Sequence, residues 1–182
     1  MPALGSDVVE VFKVATEPRQ LQISKLHWWL VTLTGALGIA MNGCGAVATH
    51  QNMQGVQLYR QGELYGAMEK FQSAMVNDPQ DANAYYNMAS SLHRMGVTNK
   101  DPNALKQAEQ LYNECLNRNP EHSDCHRALA VLLVETDRSD RAFVLLKNWA
   151  VRSPQNADAR VELARLYQEF GDSKTAEIQL QE

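Results

Sequence analysis

The chain is short of everything that enzyme chemistry and nucleic-acid binding ask for. No serine, cysteine or threonine nucleophile stands in a recognisable motif, no glycine-rich phosphate loop is present, and the carboxylates are scattered. Those absences predict no enzyme and no cofactor. There is no basic excess either: 17 Lys and Arg against 21 Asp and Glu leave a net charge of −4. The charge is unchanged without residues 1–43, where Asp7, Glu10 and Glu17 balance Lys13, Arg19 and Lys25. Nucleic acid wants a basic face, so it is excluded as a partner. Three cysteines in 182 residues are too few for a disulfide framework. What is present, 45% hydrophobic and 21% charged residues, is the composition of a globular chain.

Charge is missing altogether between Lys25 and Arg60. The apolar part of that gap, Trp28 to Met41, is 14 residues, short of the roughly 20 a membrane span needs but suited to the core of an export signal. It ends at Met41, Asn42, Gly43, Cys44, which resembles the lipobox of bacterial lipoproteins, with Asn42 departing from the usual small residue and the leader Met1 to Leu26 unusually long. The resemblance implies cleavage after Gly43, lipid on Cys44 and a place in the bacterial cell envelope, on a membrane that includes the outer one among its candidates, with the remainder of the chain outside the cytoplasm. Two other readings stay open: Leu26 to Ala48 as an uncleaved anchor helix of 23 uncharged residues, and ordinary cleavage or a buried helix.

Beyond this segment the chain repeats itself. Gly62, Ala67, Phe71, Ala74 and Pro79 recur as Gly96, Ala108, Tyr112, Cys115 and Pro120, then as Asp137, Ala142, Leu146, Trp149 and Pro154, and finally as Gly171, Ala176 and Leu180. The alanine-to-alanine steps are 41, 34 and 34, the long one confined to Gly96–Ala108, so the period is 34 with seven residues inserted. This pattern resembles the tetratricopeptide repeat (TPR), and implies an all-α solenoid of about three and a half helix-turn-helix units. The domain plan is a leader over 1–43, a lipidated cysteine and linker over 44–50, and the solenoid over 51–182. Its units are about 48–81, 82–122, 123–156 and a truncated 157–182, an ending that predicts either a fragment or an edge covered by a partner.

Physics assigns each repeated residue a task. Gly62, Gly96 and Gly171 are expected at helix ends in the left-handed conformation, with Asp137 substituting in the third unit, and the prolines stop the second helices. Gly55, Ala89, Ala130 and Ala164 on first helices are expected to face Ala67, Ala108, Ala142 and Ala176 on second helices. Apolar stripes at Met88 and Leu92, Leu129 and Leu133, Leu163 and Tyr167 read as core. Val97 to Asn103 reads as a polar inserted loop, after which Asp101 caps a helix that Pro102 opens.

Cys115, His122, Cys125 and His126 lie within twelve residues, but their spacing fits neither a zinc site nor haem attachment, so no metal is expected. Cys115 and Cys125 are read as buried small side chains or, in an oxidising compartment, as a disulfide. The TPR resemblance implies a protein or peptide partner on an inner face formed by the first helices. Carried over residue by residue, that groove comprises Asn52, Tyr59, Asn83, Tyr86, Asn87, Ser90, Arg94, Arg127 and Arg165, with Val56, Arg60, His93, Val131, Glu135, Val161, Gln168 and Glu169 on the same face. Its centre is expected at the second and third units, where Tyr86 and Arg127 are read as free of packing duties. Of the positions that hold a chaperone's carboxylate in some members, here Asn52, Val56, Asn87, Asp124 and Ala128, only Asn87 agrees. The function expected is a non-enzymatic interaction scaffold on a bacterial membrane, similar in kind to pilotins and to lipoproteins that recruit peptidoglycan enzymes. The alternative is the substrate-recruiting part of a larger enzyme such as a glycosyltransferase or protease.

Overall fold

The computed structural model describes residues 45–181. The leader, its apolar stretch and the lipidation assigned to Cys44 lie outside the described residues; within them no helix is long and apolar enough to cross a membrane. Eight helices follow one another there: α1 (45–61), α2 (Leu64–Asn77), α3 (Ala82–Asn99), α4 (Pro102–Arg118), α5 (Ser123–Glu135), α6 (Ser139–Arg152), α7 (Ala157–Glu169) and α8 (Ser173–Gln181). From α2 to α8 consecutive helices pack on each other, α3 also touches α5, and α5 touches α7. Among α2, α4, α6 and α8 no such contact is made. First helices therefore form a continuous inner layer and second helices an outer one, the all-helical solenoid expected.

Each unit is started and stopped by local chemistry that repeats. Asp81, His122 and Asn156 occupy one repeat position and cap α3, α5 and α7 by accepting the N–H of Asn83 at 3.0 Å, Cys125 at 3.3 Å and Asp158 at 3.0 Å. Asp101 does the same for α4 through Asn103, with Pro102 in the first turn. At the turn inside every unit the chain makes one 6→1 bond: Glu63 to Leu58, Asp101 to Gly96, Arg138 to Leu133 and Asp172 to Tyr167. The left-handed residue of that turn is Gly62 (φ 85°), Lys100 (φ 53°), Asp137 (φ 58°) and Gly171 (φ 80°).

Two expectations are corrected here. Gly96 does not end a helix: it lies inside α3, and the left-handed position belongs to Lys100. Its lack of a side chain serves packing instead, since a Cβ there would come within 2.8 Å of the Leu105 side chain and 3.0 Å of its backbone nitrogen. Nor is Val97–Asn103 a polar loop. With 18 residues in α3 against 13 in α5, and 17 in α4 against 14 in α6, the insertion lengthens both helices and leaves only Lys100 and Asp101 between them. Extending a helix satisfies every added backbone group within the helix, which a seven-residue loop does not.

The core follows the small-residue pattern. Ala67, Ala89, Ala108, Ala142 and Ala176 are fully buried, and Gly55 lies against the ring of Phe71. Phe71, Tyr112 and Leu146, at one repeat position, are 1% exposed, while Leu180 at the same position of the last unit is 55% exposed. Trp149 is wholly buried and contributes about 3 kcal/mol by burial.

Candidate functional site

The inner face carries the nine groove residues expected from the sequence, and the structure ties them to one another. Asn87 Nδ2 donates to Asn52 Oδ1 at 2.8 Å, and the Arg94 guanidinium lies 5.4 Å from the Tyr59 ring centre. Ser90 Oγ and His93 Nδ1 each lie 3.3 Å from Tyr112 Oη, and His93 Nε2 reaches Glu135 at 2.7 Å. Asn83 Oδ1 accepts from His122 Nε2 at 3.2 Å, whose ring is 5.1 Å from that of Tyr86. Arg127 donates through Nε at 2.8 Å and Nη2 at 2.6 Å to Glu162 Oε1, which Arg165 also reaches at 3.1 Å.

The spacing of these pairs is regular. Asn52–Asn87 and Arg127–Glu162 are 35 residues apart, as is Ser123–Asp158, and His93–Glu135 is 42 apart across the insertion. Each is one repeat period plus one. Neighbouring first helices are staggered by a residue, so a side chain meets not its own equivalent in the next unit but the following position. The groove residues form a ladder that fixes how one unit turns against the next.

That ladder corrects the view that Tyr86 and Arg127 are free of packing. Tyr86 is half-buried against the core, and burial raises its hydroxyl pKa above the ordinary value. Arg127 holds Glu162, whose side chain is only 4% exposed. The Glu162 bond raises the guanidinium pKa further, so the charge stays in place. Sequence reasoning missed Glu162, Glu121 and the work of the histidines. His122 must be neutral to accept from Cys125 through Nδ1 while donating through Nε2, and burial lowers its pKa accordingly. Glu121 accepts from Trp149 Nε1 at 3.0 Å, Asn156 at 2.8 Å and Ser153 at 2.5 Å, clamping the loop before α5 to the loop before α7. Those three donors hold its carboxyl down at about 2.

What the ladder leaves open is a depression of about 180 Å³ between α5 and α7. Ala130, Val131, Val134, Leu146 and Leu166 line it, with Arg127, Glu162, Arg165 and Glu169 at its rim. Val131 is 44% exposed and uninvolved in any pairing described above. The chaperone-carboxylate arrangement is not reproduced: Asn52 is spent on Asn87, and Asp124 is an acid lying 3.3 Å from Arg127. The cluster around Cys115 likewise divides: His122 caps, His126 stacks on Trp149 at 4.0 Å, and both cysteines are buried. Among the described residues no group of three or more His, Cys, Asp or Glu is placed to hold a metal ion.

Comparison with known proteins agrees with this geometry. The family model described as TPR repeat matches residues 55–96. No curated protein matches the sequence. Among solved structures, MamA is 16% identical over 74% of this chain and 74% of its own, with a TM-score of 0.55. PilF of Pseudomonas aeruginosa is 17% identical over 75% of this chain and 60% of its own, with a TM-score of 0.59. The first TPR of Spaghetti (RPAP3), solved with the HSP90 peptide SRMEEVD, is 18% identical over 70% of this chain and 98% of its own, with a TM-score of 0.56. At such identities the likeness is one of fold.

Proposed function

We propose that this chain, which folds as a tetratricopeptide-repeat solenoid, is a non-enzymatic scaffold that holds a segment of a partner protein on its inner face. The observation that carries this reading is the depression between α5 and α7, where an apolar floor lies open beside guanidinium groups that Glu162 has already oriented. A peptide can seat one apolar side chain there and place polar groups against Arg127, Arg165 and Glu169. Because the ladder has ordered these side chains beforehand, binding loses less rotamer entropy than a mobile polar face would. The similarity in fold to a repeat domain solved with a peptide supports the same reading. Anchoring is the second part of the proposal. The Met41–Cys44 sequence supports display of the solenoid on a bacterial membrane through lipid on Cys44, where it recruits or assembles an envelope complex.

Substitution at Val131 tests the groove, because this residue lines the depression without holding the fold together. Val131→Glu is expected to lower partner recovery from detergent-solubilised membranes at least tenfold, the scale of a lost anchor worth about 2 kcal/mol, with the melting temperature unchanged. Full recovery with Val131→Glu, and loss with changes at Asn99 and Lys100 on the long second unit, moves the contact to the protruding tip. For the anchor, palmitate labelling in a bacterial host should be present in the parent and absent in Cys44→Ser. Equal labelling of the two removes the lipoprotein part and leaves the groove untouched.

A further inference from the structure

Cys115 and Cys125 are both fully buried, and they meet where α4 hands over to α5. The other joints put Ala74 with Ala84 and Trp149 with Ala159 at these two repeat positions, all of them 0% exposed. The Cys125 thiol donates to the carbonyl of Tyr112 at 3.2 Å. In an α-helix the carbonyl of one residue lies beside the side-chain root three positions on, and three positions after Tyr112 is Cys115. The Cys125 thiol therefore lies against the turn of α4 that carries Cys115. Two sulfurs thus share one dry pocket, separated along the chain by a loop that Pro120 and the His122 cap hold in a fixed turn.

We infer that Cys115 and Cys125 are a redox staple that closes during folding and records the compartment in which the chain folded. Folded, both thiols are out of reach of solvent, and the neighbouring Cys115 side chain together with burial drives the Cys125 pKa upward, so the native dithiol is inert. Before α5 docks on α4, either thiolate can attack a small-molecule disulfide such as oxidised glutathione. That step forms a mixed disulfide and expels one glutathione thiolate. The second cysteine thiolate then displaces the other glutathione, so two protein thiols are oxidised, one glutathione disulfide is reduced, and the two protons the cysteines give up end on the two departing glutathione thiolates. Once docked, the bond is as inaccessible to reductant as the thiols are to oxidant. It would bind the second unit to the third, α4 to α5.

The full chain carrying Cys44→Ser, which leaves only these two thiols, provides the test. It is unfolded in urea and refolded with a glutathione redox mixture or with excess reductant. Closure predicts a mass lower by two hydrogens and, after tryptic cleavage at Lys106, Arg118 and Arg127, one linked pair of peptides, 107–118 with 119–127. Closing so short a loop predicts a rise in melting temperature of roughly 5 to 10 °C over the reduced form. Cys115→Ala should abolish both the linkage and the rise. The reduced native protein, exposed to the same mixture without unfolding, should keep two free thiols. Recovery of free thiols or glutathione adducts after oxidative refolding overturns the staple, as does a bond that forms but lowers the melting temperature. Ready oxidation of the native fold overturns its locking.

Discussion

Replacing Arg127 with alanine separates a ligand-binding arginine from one that holds two units together. Glu162 Oε1 accepts two bonds from Arg127 and a third from Arg165. The Glu162 side chain is 4% exposed, against 45% for Arg127 and 58% for Arg165. Stranding a buried charge costs about 3–5 kcal/mol when nothing else compensates it. Here Arg165 remains, and the near-half exposure of Arg127 means that water already screens part of the attraction. The loss should therefore be smaller, about 2 kcal/mol, which in an array of this length lowers the melting temperature by roughly 6 to 8 °C. Thermal denaturation followed by circular dichroism reads it directly. Glu162→Gln with Arg127→Ala completes a double-mutant cycle, and the two changes should couple by at least about 1 kcal/mol. An Arg127→Ala protein that melts within about a degree of the parent, or a cycle with no coupling, would show that the inner-face ladder contributes nothing to the joint.

Gly96→Ala should destabilise by about 1–2 kcal/mol because the new methyl meets Leu105, whereas Lys100→Gly should stabilise by up to about 1 kcal/mol by relieving a left-handed lysine; the reverse signs in urea titrations would restore Gly96 as the helix terminator. Ala142→Leu, at a fully buried helix contact, should cost about 1–3 kcal/mol through overpacking and spread into neighbouring units, and hydrogen exchange confined to α6 would contradict that. His126 is 1% exposed, its Nε2–H donates to the Pro120 carbonyl, its Nδ1 has no partner, and burial lowers its pKa below 6.5. The unfolded chain consequently takes up this proton first, so stability is full above about pH 6.5 and declines as the pH falls below it; His126→Phe should flatten that slope, and an unchanged slope excludes His126 as its source. Glu121 adds a second window: with its carboxyl lowered from 4.5 to about 2, its contribution holds above 4.5 and is lost as the pH falls towards 2.

Three of the left-handed turns and the Asp101 cap are legible in the sequence because they are local. A left-handed glycine at 62 or 171, an aspartate at 137, and Pro79, Pro120 and Pro154 after α2, α4 and α6 act within a single turn of chain. Gly96 is ambiguous in the sequence because glycine has two uses, and only the approach of Leu105 shows which one applies. The polar residues of the insertion suggest a loop, although prolonging two helices satisfies the same backbone without one. The ladder was hidden for a geometric reason. Aligning repeats pairs equivalent positions such as Arg127 and Val161, whereas the contacts run one position further, from Arg127 to Glu162. Complementary side chains at spacings of 35, or 42 across the insertion, were the signal available. Glu162 also lies on a buried helix face where an apolar residue is the usual occupant, and only its arginines account for it.

The central claim, that a partner occupies the inner face beside α5 and α7, is tested most directly by site-specific photocrosslinking in cells. A photoreactive residue at Val131, in the depression, is compared with one at Val151, 80% exposed on α6 of the outer layer. The account predicts a discrete protein adduct from position 131 and none from position 151. An adduct from position 151 with none from position 131 would contradict it.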